Sequence, residues 1–193
     1  MPDIRIDELK SHIGNKVEDH DLATEAPLRE MIVTFDRADV VPAKGEAIHP
    51  GWHGCYFLPL SRRETLGEDG LPTDTGVLPK MPLPRRMFAG GRFEFHAPIK
   101  VGDNLRRETE LMDLSMREGG TGVLIFTKIA NRIYNDNGLC VVEERHGVFR
   151  EGLKTGEKSG IPKRDPVPTD LPWRREMNPD VVQLFRYSAI TFN

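Results

Sequence analysis

The sequence predicts an α+β domain in which a curved antiparallel sheet wraps around one central helix. Three observations predict it. An amphipathic helical segment at 27–39 precedes four consecutive strand patterns over 92–150. Fifteen prolines and eighteen glycines suit strands, turns and long loops better than a helical bundle. Because such a sheet must bury one face, the helix is expected to lie in its concave side.

The central helix is predicted from apolar residues at helical spacing, namely Leu28, Met31, Ile32 and Phe35. Pro27 fits the first helical position, where its missing N–H costs nothing. Pro42 disfavours helical geometry in the residue before it, so the helix should end by Val41. A shorter helix is predicted over 5–14.

Alternating apolar residues predict the four strands, at 92–99, about 105–116, 123–134 and 139–150. Turn sequences separate them at 100–104, at Gly119-Gly120 and at 135–138, where Asn-Gly tolerates the positive φ angles of a tight hairpin. Consecutive hairpins predict a meander.

The segment 42–87 is predicted to be a long ordered loop, because aromatic residues such as Trp52, Tyr56 and Phe57 interrupt its many prolines and glycines. Loops of this length in compact domains are usually functional or disordered. We expect this one to cover a binding site.

Three regions follow from the pattern as a whole: a domain at 1–150, a proline-rich linker at 151–178 and a new unit from 179 to 193. Asn178 is the predicted N-cap of a final helix, with Val181, Leu184 and Phe185 on one face. That face is expected to have no partner sheet in this chain, so it should dock on another chain or on a continuation.

Charge and composition exclude several classes of function. The formal net charge of −3, without a face of Lys and Arg, argues against nucleic-acid binding. Two cysteines indicate a reducing compartment, and the absence of a signal core or an apolar run of membrane length predicts a soluble, cytoplasmic protein. No metal-ligand spacing, phosphate loop or dinucleotide fingerprint is present, so neither a metal nor a cofactor is expected.

Several segments carry a resemblance to a known family. The strand-turn-strand at 95–105 resembles that of MaoC-like hydratases. The segments 52–59, 82–91, 92–96, 142–144 and 185–193 resemble, in the same order, the two-hotdog acyl-CoA hydratases called FAS1-like dehydratases. The resemblance implies a hotdog fold, with the first hotdog at 1–150 and the start of a second at 179–193.

The resemblance also implies a hydro-lyase that adds or removes water across an enoyl thioester of coenzyme A. Branched C4–C5 dicarboxylic thioesters of the mesaconyl-CoA type are its expected substrates. The implied substrate-binding residues are Trp52, His53, Arg85, Arg86, Phe88 and Gly90.

Asn193 occupies the position that resembles the family's catalytic Asp, but an amide can hold water and cannot take its proton. The family's catalytic histidine follows that position. We therefore expect residues 1–193 to be inactive alone and to work as a homo-oligomer or beside a C-terminal hotdog half.

Plainer interpretations stay open. Trp52 and His53 could be loop packing, Arg85 and Arg86 surface charge, and His96 is expected to lie at the surface. Two other functions compete: a hotdog thioesterase using Glu30 or Asp36, and a non-catalytic acyl-CoA-binding or scaffolding subunit.

Overall fold

A computed structural model of the chain describes residues 4–68, 70–119, 122–152 and 170–192. Within these ranges, one five-stranded antiparallel sheet has the order β1-β3-β4-β5-β2, and its helices confirm the predicted α+β class. The helices are α1 (Ile6–Lys10), α2 (Glu25–Thr34) and α3 (Val181–Thr191). The strands are β1 (Lys16–Leu22), β2 (Arg85–Phe95), β3 (Asn104–Gly119), β4 (Gly122–Asn135) and β5 (Gly138–Arg150). None of the described helices is both long and apolar enough to cross a membrane.

Strands β3, β4 and β5 form the predicted consecutive hairpins, with Asn135 paired to Gly138 across the second turn. The prediction that β2 joins β3 in the same way is wrong, because β2 pairs with β5 at the opposite edge. Backbone hydrogen bonds from Val101 to Glu46 and from Gly102 to Ala23 tie the connecting segment to other loops. The segment therefore crosses the end of the sheet instead of folding back.

The bounds of β2 also differ from the prediction. The strand begins at Arg85 rather than at 92, and it ends at Phe95, so Ala97 and Ile99 lie beyond it. A bulge shifts the register between Phe88 and Gly90, and Gly90 has a φ of 152°. Since a bulge interrupts the two-residue alternation of side chains, the first half of β2 carries no readable strand pattern.

Strand β1 was not predicted at all. Its sequence, KVEDHDL, is almost wholly polar, and it lies at the sheet edge against β3. Cross-strand ion pairs accompany this pairing, with Arg106 contacting Glu18 at 2.8 Å and Arg107 contacting Asp19 at 2.7 Å. An edge strand held by charge pairs shows no alternation of apolar residues, so hydrophobic periodicity could not detect it.

Helix α2 buries Leu28, Met31 and Ile32 as predicted, but it begins at Glu25 and ends at Thr34 rather than at 39. It ends early because Asp36 adopts a left-handed conformation with φ 48°. The Arg37 amide then donates to the Ile32 carbonyl at 3.0 Å, and the Asp36 amide to Val33 at 3.4 Å. This pair of bonds is a Schellman cap, which more often carries glycine at the left-handed position.

Two apolar clusters fill the side of the sheet that faces α2. The helix cluster packs α2 and the 3₁₀ turn Trp52–Cys55 against the strands and includes Leu28, Met31, Cys55, Leu105, Ile133 and Val141. The loop cluster lies beneath α1 and the segment 77–83 and includes Val77, Leu83, Leu111, Leu114, Ile125 and Phe149. The predicted placement of the central helix on the sheet is therefore confirmed.

At the C-terminal end, residues 153–169 of the predicted linker lie outside the described residues. The N-cap of α3 is Asp180 rather than Asn178, and its side chain accepts from the Gln183 amide at 2.7 Å. Helix α3 packs on α2, with the Phe35 and Tyr187 rings 5.6 Å apart, so it has a packing partner that the sequence did not predict. The division into a hotdog, a linker and a second hotdog stays a prediction.

Candidate functional site

A cavity of about 370 Å³ opens where the segment 47–51, the 3₁₀ turn and the end of β2 meet. Its walls are mostly apolar and include Ile48, Phe95, Ile99 and Val141. A volume in the range of roughly 300–1,000 Å³ is typical of small-molecule sites. The cavity therefore has the size and lining of a ligand pocket.

His53 is the buried polar residue in the wall of this cavity, with only 4% of its surface exposed. Its ring meets Phe93 edge-on at 5.7 Å and Phe95 at 6.3 Å, and these two rings stack on each other. Gly51, with φ 87°, starts the 3₁₀ turn that carries it. The Tyr56 hydroxyl anchors this turn to the start of α2 by donating to the Thr24 carbonyl at 2.7 Å.

A chain of hydrogen-bonded polar side chains, of which Asn131 and Glu143 are buried, crosses the three central strands next to His53. Thr109 on β3 donates to Asn131 on β4 at 2.8 Å, and Asn131 donates to Glu143 on β5 at 3.0 Å. Arg145 donates to the other Glu143 oxygen at 2.8 Å. Glu143 lies directly opposite Phe93 in the sheet, so its carboxylate is on the same face as the rings around His53.

These surroundings set the charge of His53. Burial lowers its pKa below the usual 6.5, and Glu143 opposes this shift while the Arg145 guanidinium adds to it. The imidazole is therefore neutral near pH 7, with one nitrogen as a donor and the other as an acceptor. A neutral imidazole in an apolar wall can hydrogen-bond a ligand or move a proton.

The lowered pKa of His53 predicts a specific pH dependence of stability. In the unfolded state His53 takes up a proton at about pH 6.5, whereas in the folded state it does so only at a lower pH. The stability linked to neutral His53 is therefore fully present above about pH 6.5 and is lost as the pH falls. We expect His53→Gln to lose less stability than the native chain between about pH 7 and pH 5, measured by urea unfolding. His20→Gln, at an exposed position, is the control and should keep the native slope. Parallel curves for the native chain and His53→Gln would contradict the prediction.

The sequence matches the hydroxyacyl-thioester dehydratase type 2 family over residues 51–193. It is also 37% identical over 165 residues to mesaconyl-C4-CoA hydratase of Chloroflexus aurantiacus, which covers 83% of this chain. The chain belongs to this dehydratase family. This chain spans about half of the length of that relative, with 56% of it covered. The resemblance found in the sequence is therefore confirmed.

Solved structures agree on the fold. A MaoC-like dehydratase from Phytophthora capsici has a TM-score of 0.59 at 16% identity, with 97% of this chain and 64% of that chain covered. Another MaoC-like dehydratase has a TM-score of 0.57 at 14% identity, with 96% and 67% covered. The fold is that of a hotdog protein, as the resemblance implied.

Within this dehydratase fold, the residues predicted to bind substrate fall into separate groups. Trp52 and His53 lie together on the 3₁₀ turn, where His53 lines the cavity and Trp52 packs against the His49 ring at 4.7 Å. Arg85 and Arg86 lie at the opposite end of β2, opposite Arg150 and Phe149 of β5. Ten residue steps at about 3.3 Å put Arg85 roughly 33 Å from Phe95 at the cavity.

Two further predicted binding residues, Phe88 and Gly90, lie between these groups on β2, and Phe88 is 77% exposed. Asn193, the predicted catalytic residue, lies outside the described residues. His96 is exposed and lies 3.7 Å from Glu94, which confirms its predicted surface position. No group of three or more potential metal ligands occurs within the described ranges.

Sequence reasoning missed the polar chain from Thr109 to Arg145. The segment 142–144 resembled the family, but no role followed from it, because a Glu in a strand is ordinarily exposed. The detectable signal was the position of Glu143 among the apolar residues of one strand face. Recognising its partners required the strand register, which periodicity does not supply.

Proposed function

We propose that the protein containing this chain is an acyl-CoA hydratase/dehydratase, which adds or removes water across an enoyl thioester. The observation that carries the proposal is the 37% identity to mesaconyl-C4-CoA hydratase over most of this chain. An apolar cavity of ligand size supports it, since the carbon chain of an acyl group is apolar. Branched C4–C5 dicarboxylic thioesters of the mesaconyl-CoA type are the proposed substrates, and coenzyme A enters as part of the substrate.

The reaction needs a base for water, an acid for the carbon next to the thioester and donors for the developing oxyanion. We propose that Asn193 orients the water and that a histidine outside residues 1–193 takes its proton. Helix α3, which leads to Asn193, packs beside the 3₁₀ turn that carries His53. This arrangement supports a site shared between the end of α3 and the cavity.

The test is an assay of the purified chain and of the complete product of its gene with crotonyl-CoA and mesaconyl-CoA. Loss of enoyl absorbance without release of free thiol supports the hydratase proposal. We expect it from the complete product, with the 1–193 chain at least about a hundredfold slower, the usual minimum contribution of acid–base catalysis. Release of free thiol would favour a thioesterase instead. A fast 1–193 chain would place the base within it.

The thioesterase alternative loses its motivating residues in the structure. Glu30 and Asp36 both face solvent, away from the sheet that α2 covers. Neither residue is among the described lining residues of the cavity. Neither residue supports thioester hydrolysis.

A non-catalytic binding subunit remains a second candidate, because apolar residues on β2 and α3 are exposed. Phe88 is 77% exposed, Val181 80% and Phe185 73%, and β2 is an edge strand. Exposed apolar residues next to an open strand edge favour a partner there, and we propose a second copy of the chain or a C-terminal hotdog half. Binding of enoyl-CoA by both proteins without turnover would support this candidate.

We propose that Arg85 and Arg86 bind the phosphates of coenzyme A at the far end of β2, beneath the loop at 42–84. Guanidinium groups bind phosphate by paired, charge-assisted hydrogen bonds. The Arg85→Ala, Arg86→Ala double variant should bind coenzyme A about tenfold more weakly, or about 1.4 kcal/mol, by calorimetry. The Arg62→Ala, Arg63→Ala variant removes the same amount of charge from the loop at 42–84 instead of from β2, and it should bind normally. Equal affinity in the native chain and the Arg85, Arg86 variant would remove these residues from the site.

A further inference from the structure

The titratable groups in the cavity wall are all histidines. His49, His53 and His96 are among its twelve described lining residues, and none of the twelve is acidic. Histidine is the side chain that gains positive charge near neutral pH. The described lining therefore contains no carboxylate, and its titratable side chains are the three imidazoles.

His53 differs from the other two in having no partner. His49 lies 3.8 Å from Asp39 and His96 lies 3.7 Å from Glu94, both at partly exposed positions. Among the described residues, neither ring nitrogen of His53 makes a hydrogen bond, and neither is one of the fully enclosed polar atoms. A buried polar group without a partner is costly, so the ring is placed for a hydrogen bond from a molecule in the cavity.

The charges around His53 indicate what that molecule carries. The Glu143 carboxylate is matched by Arg145 at 2.8 Å, so this pair is already balanced while His53 is neutral. An anion in the cavity would add one uncompensated negative charge beside apolar walls. A proton taken up by His53 restores the balance, because the imidazolium then lies between Glu143 and the anion.

We infer that this cavity receives the far end of the acyl group and that His53 binds a carboxylate carried there. The inference rests on the proposed acyl-CoA function and names the residue that recognises a dicarboxylic acyl group. Binding takes up a proton at the imidazole of His53. The charged or titratable groups around this imidazole are Glu143 and Arg145 of β5, His49 beside the turn and His96 beyond β2.

Two matched thioesters test the inference. Glutaconyl-CoA is crotonyl-CoA with a carboxyl group at the end of the acyl chain, and this carboxyl is ionised at pH 6–8, well above its ordinary pKa of about 4. On the native chain, calorimetry should show that affinity for glutaconyl-CoA falls by up to about tenfold per pH unit between pH 6 and pH 8. Buffers with different ionisation enthalpies should report uptake of up to about one proton per ligand bound. Affinity for crotonyl-CoA should stay nearly constant.

Two variants give the second arm of the test. His53→Gln should weaken glutaconyl-CoA binding by about tenfold or more and leave crotonyl-CoA within about twofold. His20→Gln, on β1 at the opposite edge of the sheet from β2 and outside the cavity lining, should leave both within about twofold. Circular dichroism checks that both variants fold. If His53→Gln does not fold, the proton uptake measured on the native chain decides whether His53 binds the carboxylate.

The outcomes separate the inference from the function on which it rests. If both thioesters bind the native chain with the same pH profile, the carboxylate site is wrong and the acyl-CoA function stands. Equal weakening of both thioesters by His53→Gln would likewise reduce His53 to a general packing role. If neither thioester binds, both proposals fail.

Discussion

Replacing Leu28 with alanine should destabilise the protein by about 2–5 kcal/mol, the usual range for deleting a buried leucine side chain. Leu28 is fully buried at the centre of α2 and belongs to the helix cluster with Leu105, Ile133 and Val141 of the sheet. The loss combines the transfer of the side chain with the cavity it leaves. Since domains are stable by only about 5–15 kcal/mol, this single change should lower the urea midpoint greatly.

Val33→Ala is the matched control, because Val33 lies on the same helix with 59% of its surface exposed. It removes a β-branched side chain that faces solvent and should change stability by no more than about 0.5 kcal/mol. Urea unfolding followed by circular dichroism at 222 nm compares both variants with the native chain. Similar losses in the two variants would mean that α2 is not held through its Leu28 face.

The same distinction between faces explains how far the sequence predicted the fold. Leu28, Met31 and Ile32 are spaced at helical intervals, and the strands β3, β4 and β5 alternate, because each buries one face in a continuous apolar cluster. The sequence did not predict elements whose residues are not arranged around a buried apolar face. Strand β1 is held at the edge by pairs such as Arg106 with Glu18, which leave no apolar period.

Conformations set by single residues were also invisible to periodicity. Helix α2 ends just before Asp36, whose backbone is left-handed. Aspartate is a weaker sequence signal for such an end than glycine, so the sequence did not predict it. The pairing of β2 with β5 is accompanied by hydrogen bonds between the segment 96–103 and distant loops. These hydrogen bonds join segments that are far apart in the sequence, so the spacing of residues within one segment cannot predict them.

The candidate site was predicted in part for the same reason. Trp52 and His53 stand out as aromatic and polar residues within one loop, and the structure places His53 in the cavity wall and Trp52 beside it on the same turn. Glu143 lies on a different strand, 90 residues away in sequence from His53 by their numbering. Only the register that sets Glu143 opposite Phe93 reveals that the two share a site.

Asn131→Leu should destabilise the protein by about 2–4 kcal/mol, even though leucine has the same branching and the same number of side-chain heavy atoms as asparagine. Asn131 is 6% exposed, accepts from Thr109 and donates to Glu143 at 3.0 Å. The substitution leaves no large cavity, so the cost is that of polar groups stranded in the interior. The buried Glu143 carboxylate would keep only its bond from Arg145. Charged groups lose more than neutral ones when a partner is removed, so breaking the bond to Glu143 should cost more than breaking a neutral hydrogen bond.

Thr109→Val isolates the contribution of Glu143, because it removes the hydroxyl that donates to Asn131 and leaves the bond from Asn131 to Glu143 in place. It should cost only about 1 kcal/mol, the net value of a neutral hydrogen bond. Urea unfolding of both variants gives the difference directly. If Asn131→Leu is no less stable than Thr109→Val, the carboxylate does not depend on Asn131. The bond from Arg145 would then be enough to hold the Glu143 carboxylate.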